Sequence, residues 1–415
     1  MVVPMPWRVS DSMKERAKFV LEWERRWKES EGRRTEMAEL CRMFGISRPT
    51  GYKWVERFQQ NNWDIRAVAE QSRKPKTSPT AIIPELEDSI VAARKAKPHW
   101  GPRKLRERLM ECNPGVYVPS ASLIAKVLKR RGLTTTRRRR RTTRPAGVVA
   151  PFSNCEAPNA VWCIDFKGHF ETQDAVRCYP LTLLDAYSRY LLRCELLLEP
   201  DGRRVQKILD SAFLEFGLPL AMRSDGGPPF ASSGAAKLTF LSVWLLRLGI
   251  RIEIIAPGKP QQNGRLERFH RTLKAETAAP PSADAATQQR CFDVWRGEYN
   301  NERPHEALKM RKPADVYERS RRRYPRPFVR TVGDPFGIVA RVDKHGAIKW
   351  HRKDVLISSA LSNEELSINT DGERYWQVHW GAIHLGQLDE HNPSRGLIVP
   401  RRPRGSAKIT SMSLL

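Results

Sequence analysis

The chain is short of the features that would tie it to a membrane or to an oxidising compartment. Its seven cysteines (positions 41, 112, 155, 163, 178, 194 and 291) are odd in number, scattered, and never paired as Cys-x-x-Cys. That argues against a disulfide scaffold and against a thiolate zinc site, and fits a reducing cytoplasm. The nine histidines are equally dispersed. No apolar run is long enough to span a bilayer, and the richest, 238–250, is interrupted by Arg247. The first residues lack the apolar centre of a signal peptide. Acidic residues are also scarce, 46 against 73 Lys and Arg, which leaves a formal net charge of +27 over 415 residues. Such an excess repels itself in a compact protein, and a polyanionic partner is the usual reason to carry it. With no membrane segment in view, nucleic acid is the partner that fits.

The length suggests several domains. In 33–44, Met37, Leu40, Cys41 and Phe44 fall on one helical face. Gly45 ends that helix, and Ser47 with Pro49 opens the next, so 10–70 reads as a helix-turn-helix unit. Its second helix, 48–59, is expected to bury Tyr52, Val55 and Phe58 and to present Arg48, Lys53 and Arg57 to DNA. A second unit, 82–133, repeats the pattern. Leu105 and Leu109 point inward from its first helix, Ser120 caps a helix carrying Leu123, Ile124, Val127 and Leu128, and Gly132 follows as a C-cap. A basic linker, 134–156, contains Arg137, Arg138, Arg139, Arg140 and Arg141 without a break. Such a run neutralises phosphates without reading bases.

From 157 to 320 strands and helices alternate. Three adjacent strands (160–166, 179–185, 190–198) precede a helix with Val205, Leu209, Ala212, Phe213 and Phe216 on one face. Strand 220–224, helix 235–248, strand 250–255 and a long helix from about 262 follow. That order predicts a mixed sheet covered by helices. Short alternating segments in 328–395 suggest a small C-terminal β-barrel, with Trp350, Trp376 and Trp380 expected in its packing.

Three acids stand out by placement. Asp165 and Asp225 each follow an apolar strand, and Glu267 lies in the first turns of the long helix. Strand ends converge on one rim of a helix-covered sheet, and carboxylates gathered there call for a cation between them. Hard divalent ions with oxygen ligands, Mg²⁺ or Mn²⁺, suit that need. Asp185 sits at a hairpin and reads as a turn residue. His169 and His270 are set aside as poor ligands for such ions, and Glu276 is treated as a bystander.

The blocks Trp162-Cys163-Ile164-Asp165-Phe166, Leu183-Leu184-Asp185-Ala186-Tyr187-Ser188-Arg189, Arg223-Ser224-Asp225-Gly226-Gly227 and Gln261-Gln262-Asn263-Gly264-Arg265-Leu266-Glu267-Arg268-Phe269-His270-Arg271 occur in that order. With Tyr299-Asn300-Asn301-Glu302-Arg303-Pro304-His305, they resemble the bacterial insertion-sequence transposases with a retroviral-integrase-type (DDE) core. The resemblance implies a ribonuclease-H-like fold with Asp165, Asp225 and Glu267 as catalytic metal ligands, holding two Mg²⁺ or Mn²⁺ ions per active site. It implies cleavage at the 3′ ends of an element and attack of that 3′-OH on target DNA, by a homo-oligomer acting on double-stranded DNA in the bacterial nucleoid. Two features depart from the family. Asp225 and Glu267 stand 42 positions apart, a longer gap than usual, with the extra residues expected in a loop near 232–237. Gly227 replaces a common Asn, which leaves the polar support of Asp225 open. Arg271 and Lys274, on the Glu267 face of the helix, are expected to hold phosphates beside the metals. A DNA-binding regulator with a disused core, or a nuclease that cuts without joining, are the competing readings. All three acids being present speaks against the first, and paired end-recognition units speak against the second.

Overall fold

The computed structural model describes residues 12–31, 36–70, 82–134, 154–255, 264–325, 327–328, 337–370, 372, 374–399 and 411–412. The chain divides into two compact units, Met1–Ile82 and Ile83–Leu415.

The first unit is built on α1 (Ser12–Glu29), α2 (Met37–Met43) and α3 (Arg48–Gln60). Gly45 ends α2 at φ +66°, where a side chain would be strained, and Ile46 N–H bonds back to the Cys41 carbonyl at 2.9 Å. The Ser47 hydroxyl accepts from Thr50 N–H and opens α3. One expectation fails here. Tyr52 is 58% exposed, and α3 buries Gly51, Trp54, Val55 and Phe58 instead. The cause is Gly51, which lies where α3 crosses its neighbours. A Cβ there would come 2.6 Å from Cys41 Sγ and 3.0 Å from the Phe19 ring. Close approach at Gly51 sets the buried stripe at 51, 54, 55 and 58 and turns Tyr52 outward.

The second unit opens with α4 (Pro84–Ala96), α5 (Pro102–Cys112) and α6 (Ala121–Arg130), packed through Ile90, Leu105, Leu109, Ile124, Val127 and Leu128. Ser120 caps α6, and Gly132 follows it at φ +69°. The buried Glu87 of α4 accepts from Arg131 at 2.6 Å and also pairs with Arg130, tying the module's ends together. Residues Arg137 to Arg141 and most of the expected 134–156 linker lie outside the described residues.

The central sheet follows from its apolar strands: β1 (Val161–Phe166), β2 (Phe170–Glu171), β3 (Arg177–Asp185) and β4 (Leu191–Leu197) form an antiparallel meander. After α7 (Gly202–Phe216), β5 (Ala221–Ser224) adds parallel to β1. After α8 (Phe240–Arg247), β6 (Arg251–Ile254) adds parallel to β5. The order across the sheet is therefore β6-β5-β1-β3-β4, the mixed sheet expected. Helices α9 (Gly264–Thr277) and α10 (Ala285–Asn301) complete the core. The α7 stripe of Val205, Leu209, Ala212, Phe213 and Phe216 is buried, and Asp201 caps the helix through Arg203 and Arg204 N–H. At its far end Gly217 (φ +77°) meets the Arg322 and Ser320 carbonyls so closely that a Cβ would sit 2.8 Å away. Arg223 on β5 and Glu253 on β6 form a buried ion pair at 2.7 Å, just below Asp225. Removing one partner of such a pair costs about 3–5 kcal/mol.

The helix expected over 235–248 is broken. A short turn at Ala235–Lys237 precedes α8, because the Thr239 hydroxyl accepts from Ser242 N–H while the Ser242 hydroxyl accepts from Thr239 N–H, fixing a new helix start. The barrel expected at 328–395 is also corrected. Strands β7 (Ile338–Arg341), β10 (Glu365–Thr370), β11 (Tyr375–Trp380) and β12 (Ile383–Asp389) form an open antiparallel sheet. Beside it lies a separate hairpin of β8 (Ala347–Trp350) and β9 (Lys353–Leu356). Among the described residues neither sheet closes on itself, and their buried apolar side chains belong to the same cluster as those of the core. Trp350 and Trp380 are buried there, and Trp376 packs against them. A terminal strand, β13 (Ser411–Met412), pairs with the β6 edge.

Candidate functional site

Strands β1 and β5 run parallel, so Asp165 near the end of one and Asp225 just past the end of the other reach the same rim of the sheet. Glu267 lies in the first turn of α9. The Asp165 carboxyl is half-buried, and it is pushed up to about 7, first by burial and then by the Asp225 charge. Glu267 raises it further, whereas the Phe166 N–H and the Lys167 charge act the other way. Asp165 thus feels the charge of each of the other two acids. Among the described residues, no three His, Cys, Asp or Glu side chains are gathered closely enough to hold a metal ion as they stand. The donor chemistry of Asp165, Asp225 and Glu267, three carboxylate side chains, nonetheless fits a hard divalent cation.

Backbone supports Asp225 where a side chain was in doubt. Gly227 N–H donates to its Oδ1 at 3.3 Å, and a Cβ on Gly227 would sit 3.4 Å from Oδ2. Asp185 is fully buried. It accepts from Asn159 N–H at 2.8 Å and from the Ser188 N–H and hydroxyl, so it holds the β3–β4 turn as expected.

His270, set aside in the sequence, sits in this site. Its Nε2 lies 2.7 Å from the Thr182 hydroxyl, which in turn donates to the Asp165 carbonyl at 3.2 Å. Burial, then the Lys167 charge, lower its pKa to about 3, so the ring is neutral at physiological pH. Its Nδ1 lies 4.0 Å from Asp165 Oδ2. His270 therefore ties α9, three residues past Glu267, to the β1 and β3 rim. The only sequence signal was its position at i+3 on the helical face of Glu267.

Arg271 and Lys274 are exposed on α9, and Lys274 shares a small cavity with Lys167 and His169. Lys167, beside Asp165, is a cation that sequence reasoning passed over. Glu276 has a structural role. It accepts twice from Arg303, at 2.8 and 2.6 Å, and once from Trp295 Nε1 at 2.8 Å, with both charged groups largely buried. In the other unit, Arg48 and Lys53 are exposed on α3, while Lys53, Arg57 and Arg16 of α1 gather around the Trp54 ring at 5.5, 5.4 and 4.4 Å. Arg137 to Arg141 fall outside the described residues.

Residues 156–260 and 248–313 match the integrase core domain, and residues 50–128 match a homeodomain-like domain. An uncharacterized 31.7 kDa protein of insertion element IS407 from Burkholderia multivorans is 30% identical over 40% of this chain and 57% of its own length. An uncharacterized 39.2 kDa protein of insertion element IS476 from Xanthomonas euvesicatoria is 29% identical over 57% of this chain and 65% of its own length. The Gag-Pol polyprotein of baboon endogenous virus is 28% identical over 46% of this chain and 11% of its own length. The chain thus spans somewhat over half the length of the two insertion-element relatives.

Proposed function

We propose that the chain, whose core matches the integrase core domain and which is similar to proteins of bacterial insertion elements, is an insertion-sequence transposase: a metal-dependent polynucleotidyl transferase that cleaves the 3′ ends of an element and joins them to target DNA. The observation that supports it most is the coupling at Asp165, whose half-buried carboxyl responds to both Asp225 and Glu267 at the rim of a matched integrase core. In this reading Asp165, Asp225 and Glu267 hold a pair of Mg²⁺ or Mn²⁺ ions. When bound, such a pair supplies Lewis acidity to the attacking and leaving oxygens of a phosphodiester displacement.

The chain's own groups do the rest. His270 fixes the approach of α9 to β1 and so the reach of Glu267 toward Asp165. Arg271, Lys274 and Lys167 neutralise phosphates that flank the scissile bond. Arg48, Lys53 and Arg57 of α3 recognise the element's ends, and Arg137 to Arg141 track the duplex between. Active complexes are homo-oligomers that bring two ends together.

Conservative amides test the assignment. Glu267→Gln, Asp165→Asn and Asp225→Asn keep shape and remove one charge each, and each should lower Mg²⁺-dependent cleavage and strand transfer by several kcal/mol of barrier, an order-of-magnitude figure. Binding to the same labelled end should persist. Glu306→Gln, an exposed change away from the rim, serves as the neutral control. Full activity in Glu267→Gln would mean that the long gap has passed the third ligand to another acid. Cleavage without any joining would favour a nuclease.

A further inference from the structure

The residues that lengthen the Asp225–Glu267 stretch form a seat. Past the buried Phe230 and Ala231, the loop closes through Ser232 N–H to the Lys237 carbonyl at 3.0 Å and the Ser232 hydroxyl to the Leu238 carbonyl at 2.7 Å. Its short turn, Ala235–Lys237, packs against β12, and α8 packs against the turn Ser359–Leu361. Arg247 of α8 pairs with Glu364 at 3.0 Å, and one apolar cluster runs through both sides. The C-terminal sheets are thereby fixed to the core.

Between this seat, the first half of α7 and the 356–360 segment lies an open cleft of about 1300 Å³. Arg203 and Lys207 line it from α7, His345 lines it from the turn between β7 and β8, and Ser359 adds a hydroxyl. Arg203 and Lys207 are exposed and make no ion pair among the described residues. The acid in the wall, Asp210, is engaged by the Tyr324 hydroxyl.

Topology puts this cleft beside the site. Strands β1 and β4 are both antiparallel to β3, so α7, which follows β4, starts from the rim that carries Asp165 and Asp225. There Gly202 is pressed against the loop after Asp225: a Cβ would lie 2.9 Å from the Phe240 ring and 3.2 Å from Pro229. Exposed cations held in no ion pair along an open channel are groups that hold phosphates rather than read bases. We propose that this cleft binds the phosphate backbone of duplex DNA and leads it to the rim. The proposal rests on the reading of the chain as an enzyme of DNA strand transfer.

The test uses the full chain and a random-sequence duplex, with affinity measured between 50 and 200 mM salt. Each phosphate neutralised by Lys or Arg adds about 0.9 to the slope of log affinity on log salt, so Arg203→Glu/Lys207→Glu should lower that slope by about 2. Exchanging the pair, Arg203→Lys/Lys207→Arg, should keep it. Should the reversal disturb folding, seen as a lowered melting midpoint, Arg203→Gln/Lys207→Gln takes its place, with the same slope change expected. Wild-type binding with an unchanged slope in the folded variants would overturn the cleft alone. A change in self-association with unchanged DNA affinity would assign the cleft to a second copy and overturn it too. No wild-type binding to any duplex would sink the strand-transfer reading and the cleft with it.

Discussion

Asp165 shows how one buried carboxyl registers its neighbours. Burial first, and then the charge of Asp225, hold its pKa near 7, well above the ordinary value of about 4. A folded-state pKa raised in this way means that the native chain keeps a proton the unfolded chain has already released. Without metal, stability should therefore decline as pH rises from about 4 to about 7. A divalent ion must displace that proton, so Mn²⁺ affinity should weaken by about tenfold per unit below pH 7 and level off above it. Calorimetric titration at pH 6, 7 and 8 checks this, and a flat profile would remove Asp165 from the ligand set. Placement made Asp165 and Asp225 legible in the sequence, because an acid straight after an apolar strand is conspicuous. Glu276 was not legible in the same way. Its partner Arg303 lies 27 positions further on, and nothing local announces the pair.

Among the elements, α3 carries the clearest division of labour. Gly51, Trp54, Val55 and Phe58 hold it to α1 and α2, leaving Arg48, Tyr52 and Lys53 outward. Reversing charge at Arg48 and Lys53 should abolish preference for the element's ends while random-duplex affinity falls far less. Footprinting on those ends decides it, and equal loss on both DNAs would take α3 out of sequence recognition. The strands and the α7 stripe were readable because apolar side chains repeat with the period of their element. The α3 phase was misread because a glycine offers no side chain to count, although close approach there decides which face is buried. The β segments of the C-terminal region were readable from alternation, but whether sheets close depends on pairings between distant strands.

At the scale of the second unit, the α4–α6 module is held to the core by charge. Lys97 reaches Glu298 at 2.6 Å and Glu302 at 3.6 Å, Arg108 reaches Glu302 at 3.5 Å, and Lys312 reaches Glu111 at 3.0 Å. These groups are partly exposed, so each pair contributes at most about 1 kcal/mol and weakens with salt. Glu298→Lys/Glu302→Lys should loosen the module, with faster amide exchange over α5 and unchanged protection in β1. Unaltered exchange in α5 would show that packing around Trp100 holds the module without those charges.

The seat at 235–237 ties two distances along the chain that inheritance would otherwise let drift apart. A relative that shortens the interval between its second and third acids loses the turn on which β12 rests. It must then expose the apolar face of its C-terminal sheet, cover it another way, or do without that sheet. Interval length and the identity of residues facing the turn from β12 should accordingly change together across descendants, so that a simple count of positions forecasts how the tail of the molecule is carried.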